Sequence, residues 1–95
     1  MTPVDDARRA ALAVVDRYLD ALNARDTDAI RDTFNFPHMR IGAQGNVSRY
    51  DTPADYHFDA FFRRAAQDGW HHSRWVRTDA VFVTDGKVHV AVDFT

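Results

Sequence analysis

The 95-residue chain predicts an α+β domain, with helices packed on a curved antiparallel sheet. Three features carry that expectation. A long stretch from Ala11 to Leu22 has apolar residues at helical spacing, a second helical pattern runs through Phe58, Phe61, Phe62 and Ala65, and two β-branched runs flank Thr84-Asp85-Gly86-Lys87 near the end. Helices first and a hairpin after them favour segregated layers, with helices over one sheet face and the other face left to a partner or to solvent.

The first helix places Ala11, Val14, Val15, Tyr18 and Leu22 on one side, with Leu12 and Leu19 widening the stripe and Asp16, Arg17 and Asp20 on the wet side. Asn23-Ala24-Arg25-Asp26 breaks the pattern with residues that compete for backbone hydrogen bonds, and Asp26, Thr27 and Asp28 supply acceptors for a new helix start. Ile30 and Phe34 form the buried side of this short second helix, which Asn35 and Pro37 stop. His38 to Ile41 reads as a strand, Gly42-Ala43-Gln44-Gly45-Asn46 as a turn, and Val47 to Tyr50 as the return strand. Thr52-Pro53-Ala54-Asp55 has the composition of a third helix start, and Gly69 sits where a left-handed stop belongs.

From Trp70 the period becomes two, which sends His71 and His72 to opposite strand faces. Asp85-Gly86 suits a type I′ loop. The simple register then pairs Val83 with Val88, Val81 with Val90 and Arg77 with Phe94 on one face, and Phe82 with His89, Ala80 with Ala91 and Thr78 with Asp93 on the other; a bulge near Thr78-Asp79 would shift the lower pairs.

Composition narrows the function classes. One domain spans residues 1–95 and can bury roughly 60 to 65 per cent of its unfolded surface. A net charge of −2 leaves no electrostatic footprint for nucleic acid. No apolar run is long enough for a membrane span, and the polar stretch from Thr2 to Arg9 is unlike a secretory signal, so the expected location is cytoplasmic. With no cysteine there is no disulfide, thiolate nucleophile or Cys-based metal site. All 14 acidic residues are Asp and all basic residues but Lys87 are Arg, so a general acid or base must be Asp, His or Tyr. The same bias fits a GC-rich bacterial genome.

The run from Val15 to Ile30, with its Tyr-Leu-x-Ala-Leu-Asn-Ala-x-Asp-x-x-Ala-Ile pattern, resembles the opening of the nuclear transport factor 2-like superfamily, which includes SnoaL-like polyketide cyclases and ketosteroid isomerases. The later helix with paired Phe and the Asp-Gly hairpin follow in that family's order. The resemblance implies a cystatin-like cone that hosts many activities. It also implies one or two further long strands after Thr95, so that the chain is truncated or another subunit covers the edge formed by Val88, Val90 and Val92. A homodimer through the open sheet face is the corresponding expectation.

Tyr18 matches in position the isomerases' oxyanion-donating tyrosine. Their Asp base has no counterpart, since the nearest positions are Ile41, Gly42 and Ala43, and their second donor comes from a strand this sequence does not reach. His38 can face the cone's interior as a base near neutral pH or hydrogen-bond a carbonyl at the rim. His89 shares a face with Asp93, which allows a proton relay or an ordinary polar patch. Trp75, Phe58 and Phe62, with Phe61 and Trp70, can line a ligand cavity or simply pack. No spacing of His or Asp supports a metal, no cofactor motif occurs, and Ser48 and Ser73 lack a nucleophile-elbow context. Two functions are therefore expected: a pocket for an apolar small molecule, as in a lyase or isomerase, with Tyr18, His38 and Asp93 as catalytic groups and Trp75, Phe58, Phe62 and His89 around the ligand; or a non-catalytic dimerisation module.

Overall fold

Proline's fixed φ suits a first helical turn, and a preceding threonine can satisfy a backbone donor that the helix leaves open. In the computed structural model, which describes residues 2–95, α1 spans Pro3–Ala24, and Thr2 and Asp5 close a capping box in which the Thr2 hydroxyl accepts the Asp5 N–H at 3.1 Å. Arg25 ends α1 in the left-handed region at φ 55°. α2, Thr27–Asp32, starts on Asp26, whose carboxylate accepts the Ala29 N–H at 3.1 Å. The turn folds α2 back on α1, so Ile30, at 0% exposure, packs against Ala21. Ala21 lies off the predicted apolar stripe; it is buried by α2, whereas Val14, Val15, Tyr18 and Leu22 are half-buried and look toward the strands.

β1, His38–Ile41, pairs antiparallel with β2, Val47–Tyr50, from His38 opposite Tyr50 to Ile41 opposite Val47. The loop between them closes through the Gly42 N–H to the Asn46 carbonyl at 2.8 Å, with Gly45 at φ 85°, a conformation that costs glycine little. The helix expected from Thr52 is instead a single 3-10 turn, Pro53–Asp55, followed by extended backbone at Tyr56. Burial of the Tyr56 and Phe58 side chains in the core competes with helical continuation there, and α3 covers only Asp59–Gln67. Its stop is as expected: Gly69 has φ 87°, its N–H reaches the Ala66 carbonyl at 3.1 Å and the Trp70 N–H reaches Ala65 at 2.9 Å, a Schellman pattern.

β3, Trp75–Val83, and β4, Val88–Phe94, form the second hairpin. The strand begins later than the sequence period implies, so His71 and His72 lie in an irregular, exposed segment and not on two strand faces. Neither Asp85 nor Gly86 has positive φ, which rules out a type I′ loop; the Thr84 N–H donates to the Lys87 carbonyl at 2.8 Å and the Thr84 hydroxyl accepts the Gly86 N–H at 3.3 Å, closing the turn without left-handed residues. Val83–Val88 and Phe82–His89 pair as expected. Below them the register slips at Val81, so that Ala80 opposes Val90, Asp79 opposes Ala91, Thr78 opposes Val92 and Arg77 opposes Asp93; a second irregularity at Val76 sets Trp75 opposite Phe94. The bulge thus sits at Val81 and not at Thr78-Asp79. It brings Ala80 and Thr78 onto the face shared with Val90 and Val92 and leaves Val81 61% exposed.

α1 lies against β3 and β4. Among the described residues β1 pairs only with β2 and β3 only with β4, so the layer opposite the helices is two two-stranded sheets and not one continuous curved sheet. Hairpin β1–β2 is held to the helical side by His38 and Tyr50, whose rings both meet Tyr56, and not by hydrogen bonds to β4. The consequence is an open molecule. Its accessible surface is 6888 Å² and its radius of gyration 14.5 Å, against roughly 5,600 Å² and about 12.4 Å for a compact monomer of this size. No helix among the described residues is long and apolar enough to cross a membrane.

Candidate functional site

The core next to α2 is mostly aromatic. Phe34 stacks on the His38 ring with centroids 4.1 Å apart and planes 2° from parallel, and it also meets Tyr18 at 5.9 Å and Tyr56 at 5.1 Å. Tyr56 in turn contacts Tyr50 and Phe58, each at 4.5 Å. Arg31 fixes this block by donating to the Tyr56 carbonyl at 2.8 Å while its guanidinium lies 5.2 Å from the centre of the Phe58 ring.

On the strand side of this block α1 does not close onto the hairpins, and two adjoining cavities of about 520 and 480 Å³ remain. Tyr18, Arg40, Trp75 and Val92 line both. His38, Phe34, Val14 and Val90 add to the first, and Leu22, Phe61 and Trp70 to the second. The rim is open: Ile41, at the mouth of the first cavity, is 74% exposed.

Tyr18, His38 and Arg40 are among the polar residues that line this cleft, with Thr33 and Tyr56 beside the first cavity and Asp68 and Ser73 beside the second. Burial raises the Tyr18 phenol above its ordinary value of about 10, with the neighbouring Tyr56 acting in the same direction and Arg40 against it. Burial, then the Arg40 charge, lowers His38 below about 6.5. At neutral pH the cleft therefore holds a protonated phenol, which can donate a hydrogen bond, and a neutral imidazole, which can accept a proton. Phe34 contacts both rings, and the two polar groups share no hydrogen bond. The Trp75 indole N–H is buried without a partner among the described residues. Arg40 donates to the Tyr56 hydroxyl at 3.3 Å.

Of the residues singled out from sequence, Tyr18, His38 and Trp75 come together in the cleft. Phe58, at 4% exposure, is core behind it, and Phe62 packs on Phe58 and Trp70; Phe61 takes the lining position on that helix. His89 and Asp93 are on the outer face of β4, away from the cleft. Asp93 pairs with Arg77 at 3.3 Å and the His89 ring meets Phe82 at 5.2 Å, so the two form no relay. Ser73, buried, is not in a strand; its hydroxyl accepts from the Trp70 indole at 2.7 Å.

Arg40 and Tyr56 are site residues that the sequence reading missed. The signal for Arg40 was present, since it stands two residues after His38 on a strand and hence on the same face. A third missed feature is a clamp: the Asn23 side chain donates to the Ser73 carbonyl at 2.7 Å and accepts the Ser73 N–H at 2.9 Å, while Arg25 donates to the His71 carbonyl at 3.0 Å and lies over Trp70 at 4.5 Å. What read as a helix break also ties the end of α1 to the segment leading into β3. No family model, curated protein or solved structure matches this chain.

Proposed function

We propose that this chain is a small-molecule pocket protein of the nuclear transport factor 2-like superfamily, taking an apolar ligand in the cleft between α1 and the two hairpins. The observation that carries the reading is the pair of cavities that share Tyr18, Arg40, Trp75 and Val92, apolar over most of their lining and crossed by few polar groups. The order of helices and hairpins supports the family kinship, with the two hairpins as parts of a cone that the described strands do not themselves join. In a lyase or isomerase reaction the neutral His38 imidazole would take a proton from the ligand, and the Tyr18 hydroxyl would stabilise the oxyanion that forms. The test is a titration of 15N-labelled protein with apolar aromatic and steroid-like compounds. The Trp75 indole resonance and the amides of Tyr18 and His38 are expected to shift together; no shift at these three positions with any compound overturns the reading.

A second reading is association with another copy through the outer face of β3–β4, where Val81 and Phe82 stand exposed. The surface in excess of a compact monomer is roughly 1,300 Å², more than the roughly 800 Å² each partner contributes to a standard interface. Sedimentation at micromolar concentration distinguishes the two: a monomer that binds ligand leaves the pocket alone, and a dimer weakened by Phe82→Asp supports association.

A further inference from the structure

We infer that the cleft selects apolar ligands bearing a carboxylate, with Arg40 as the group that pairs with it. This rests on the pocket reading above and adds the ligand's chemical class. Arg40 lines both cavities, and no carboxylate lines the first. Asp68 lines the second without forming an ion pair with Arg40 among the described residues. Of the other ten arginines, Arg8, Arg9, Arg31, Arg49 and Arg77 each lie within 4.0 Å of an aspartate oxygen, and the remaining five line neither cavity, so Arg40 is the cleft's own cation. Arg40 is exposed at the cleft and has one hydrogen bond among the described residues, to the Tyr56 hydroxyl at 3.3 Å, which orients the guanidinium and leaves its other donors for a ligand. A guanidinium presents parallel N–H groups that match the two oxygens of a carboxylate.

The second observation is independent of charge. Trp75, which like Arg40 lines both cavities, has its Nε1–H buried away from the cleft and so offers the ligand ring surface and not a polar donor. The apolar body of the ligand lies along Val14, Val90 and Val92 on the first cavity's walls. Arginine for charge, with an indole ring and aliphatic walls for area, together describe an aryl or alkyl acid and not a neutral hydrocarbon.

The experiment uses a matched pair, 1-naphthylacetate and 1-naphthylacetamide, titrated at pH 8 into the wild type and into Arg40→Gln and Arg40→Lys, followed through the Trp75 indole resonance. The expected result is that the wild type binds the acid roughly tenfold or more tighter than the amide, that Arg40→Gln removes this preference by weakening the acid far more than the amide, and that Arg40→Lys keeps part of it. Equal binding of acid and amide in the wild type overturns the carboxylate selectivity and leaves the pocket standing. A preference that survives Arg40→Gln overturns Arg40 as the anchor. Binding of neither compound overturns the pocket reading and this inference with it. Superimposable circular dichroism spectra of the variants separate any of these results from misfolding.

Discussion

The two halves of the molecule use their aromatic and branched residues differently. Around Ile30, the rings of Phe34, Tyr56 and Phe58 interlock with α1 and α2, and four of the six described residues that are buried, Ala21, Ile30, Tyr56 and Phe58, belong to this block. The β3–β4 hairpin is longer and richer in valine, yet none of its residues is fully buried, and Val76, Val81 and Phe82 face solvent. The difference shows that hydrophobic content alone does not make a core. A two-stranded ribbon needs a layer on each face to bury both, and here α1 covers one face only in part. The cleft is the gap left between the well-packed half and the thinly covered one.

That contrast is most exposed at Ile30. Ile30→Ala should lower stability by about 2 to 4 kcal/mol in chemical denaturation, because a fully buried side chain leaves a cavity that the surrounding rings cannot fill; a loss under about 1 kcal/mol would place the stabilising core elsewhere. Asn23 joins the two halves. Asn23→Ala leaves the buried Ser73 N–H and carbonyl without partners and should cost roughly 1 to 3 kcal/mol, with hydrogen exchange of the 70–75 segment rising before that of α2; uniform exchange through both halves would argue that the clamp does not couple them. Asp26→Ala removes the α2 cap and should cost about 1 kcal/mol, measurable as a lower thermal midpoint, whereas an unchanged midpoint would mean that α2 is held by Ile30 alone.

The pH response separates the halves further. Because His38 is held below its ordinary value of about 6.5, the unfolded chain binds its proton first as the solution is acidified. The contribution is present above pH 6.5 and is lost as pH falls through the folded-state value. His38→Gln should flatten stability over that interval, and an NMR titration of wild-type His38 with a midpoint at or above 6.5 would contradict the burial assigned to it. The smallest effect belongs to the outer face. Phe82→Ser should change monomer stability by no more than about 0.5 kcal/mol, and a larger loss would show that this face is covered after all.

Much of the fold was legible because local chemistry leaves sequence marks. The α1 stripe, the Asp26 cap, the Gly69 stop and both hairpins follow from spacing and from single residues with narrow conformational preferences. The misreadings arose where a tertiary partner outcompeted a local signal. Thr52-Pro53 has every mark of a helix start, but Tyr56 and Phe58 are drawn into the aromatic block and end the turn after Asp55. The Val81 bulge has no sequence mark, and a one-residue slip is enough to exchange the faces of Thr78 and Ala80. The same limit applies to the site. His38 and Tyr18 were visible as a ring on a strand and a ring on a helix stripe, while Asp93 and His89 were paired by proximity along a strand whose outer face points away from the cleft.

Periodicity and caps are properties of consecutive residues, so the chain alone determined its α+β class, the apolar stripe of α1, the start of α2, the stop of α3, the positions of its two hairpins and the absence of thiol chemistry, though not where α1 and α3 begin. Which face of β3–β4 meets α1, how the Asn23 amide reaches Ser73 fifty residues away, and the convergence of Arg40, Trp75 and Tyr18 on one cleft were decided only by the tertiary structure. Those contacts depend on how separate elements dock, and docking is governed by total packing and polar satisfaction rather than by the preference of any short segment.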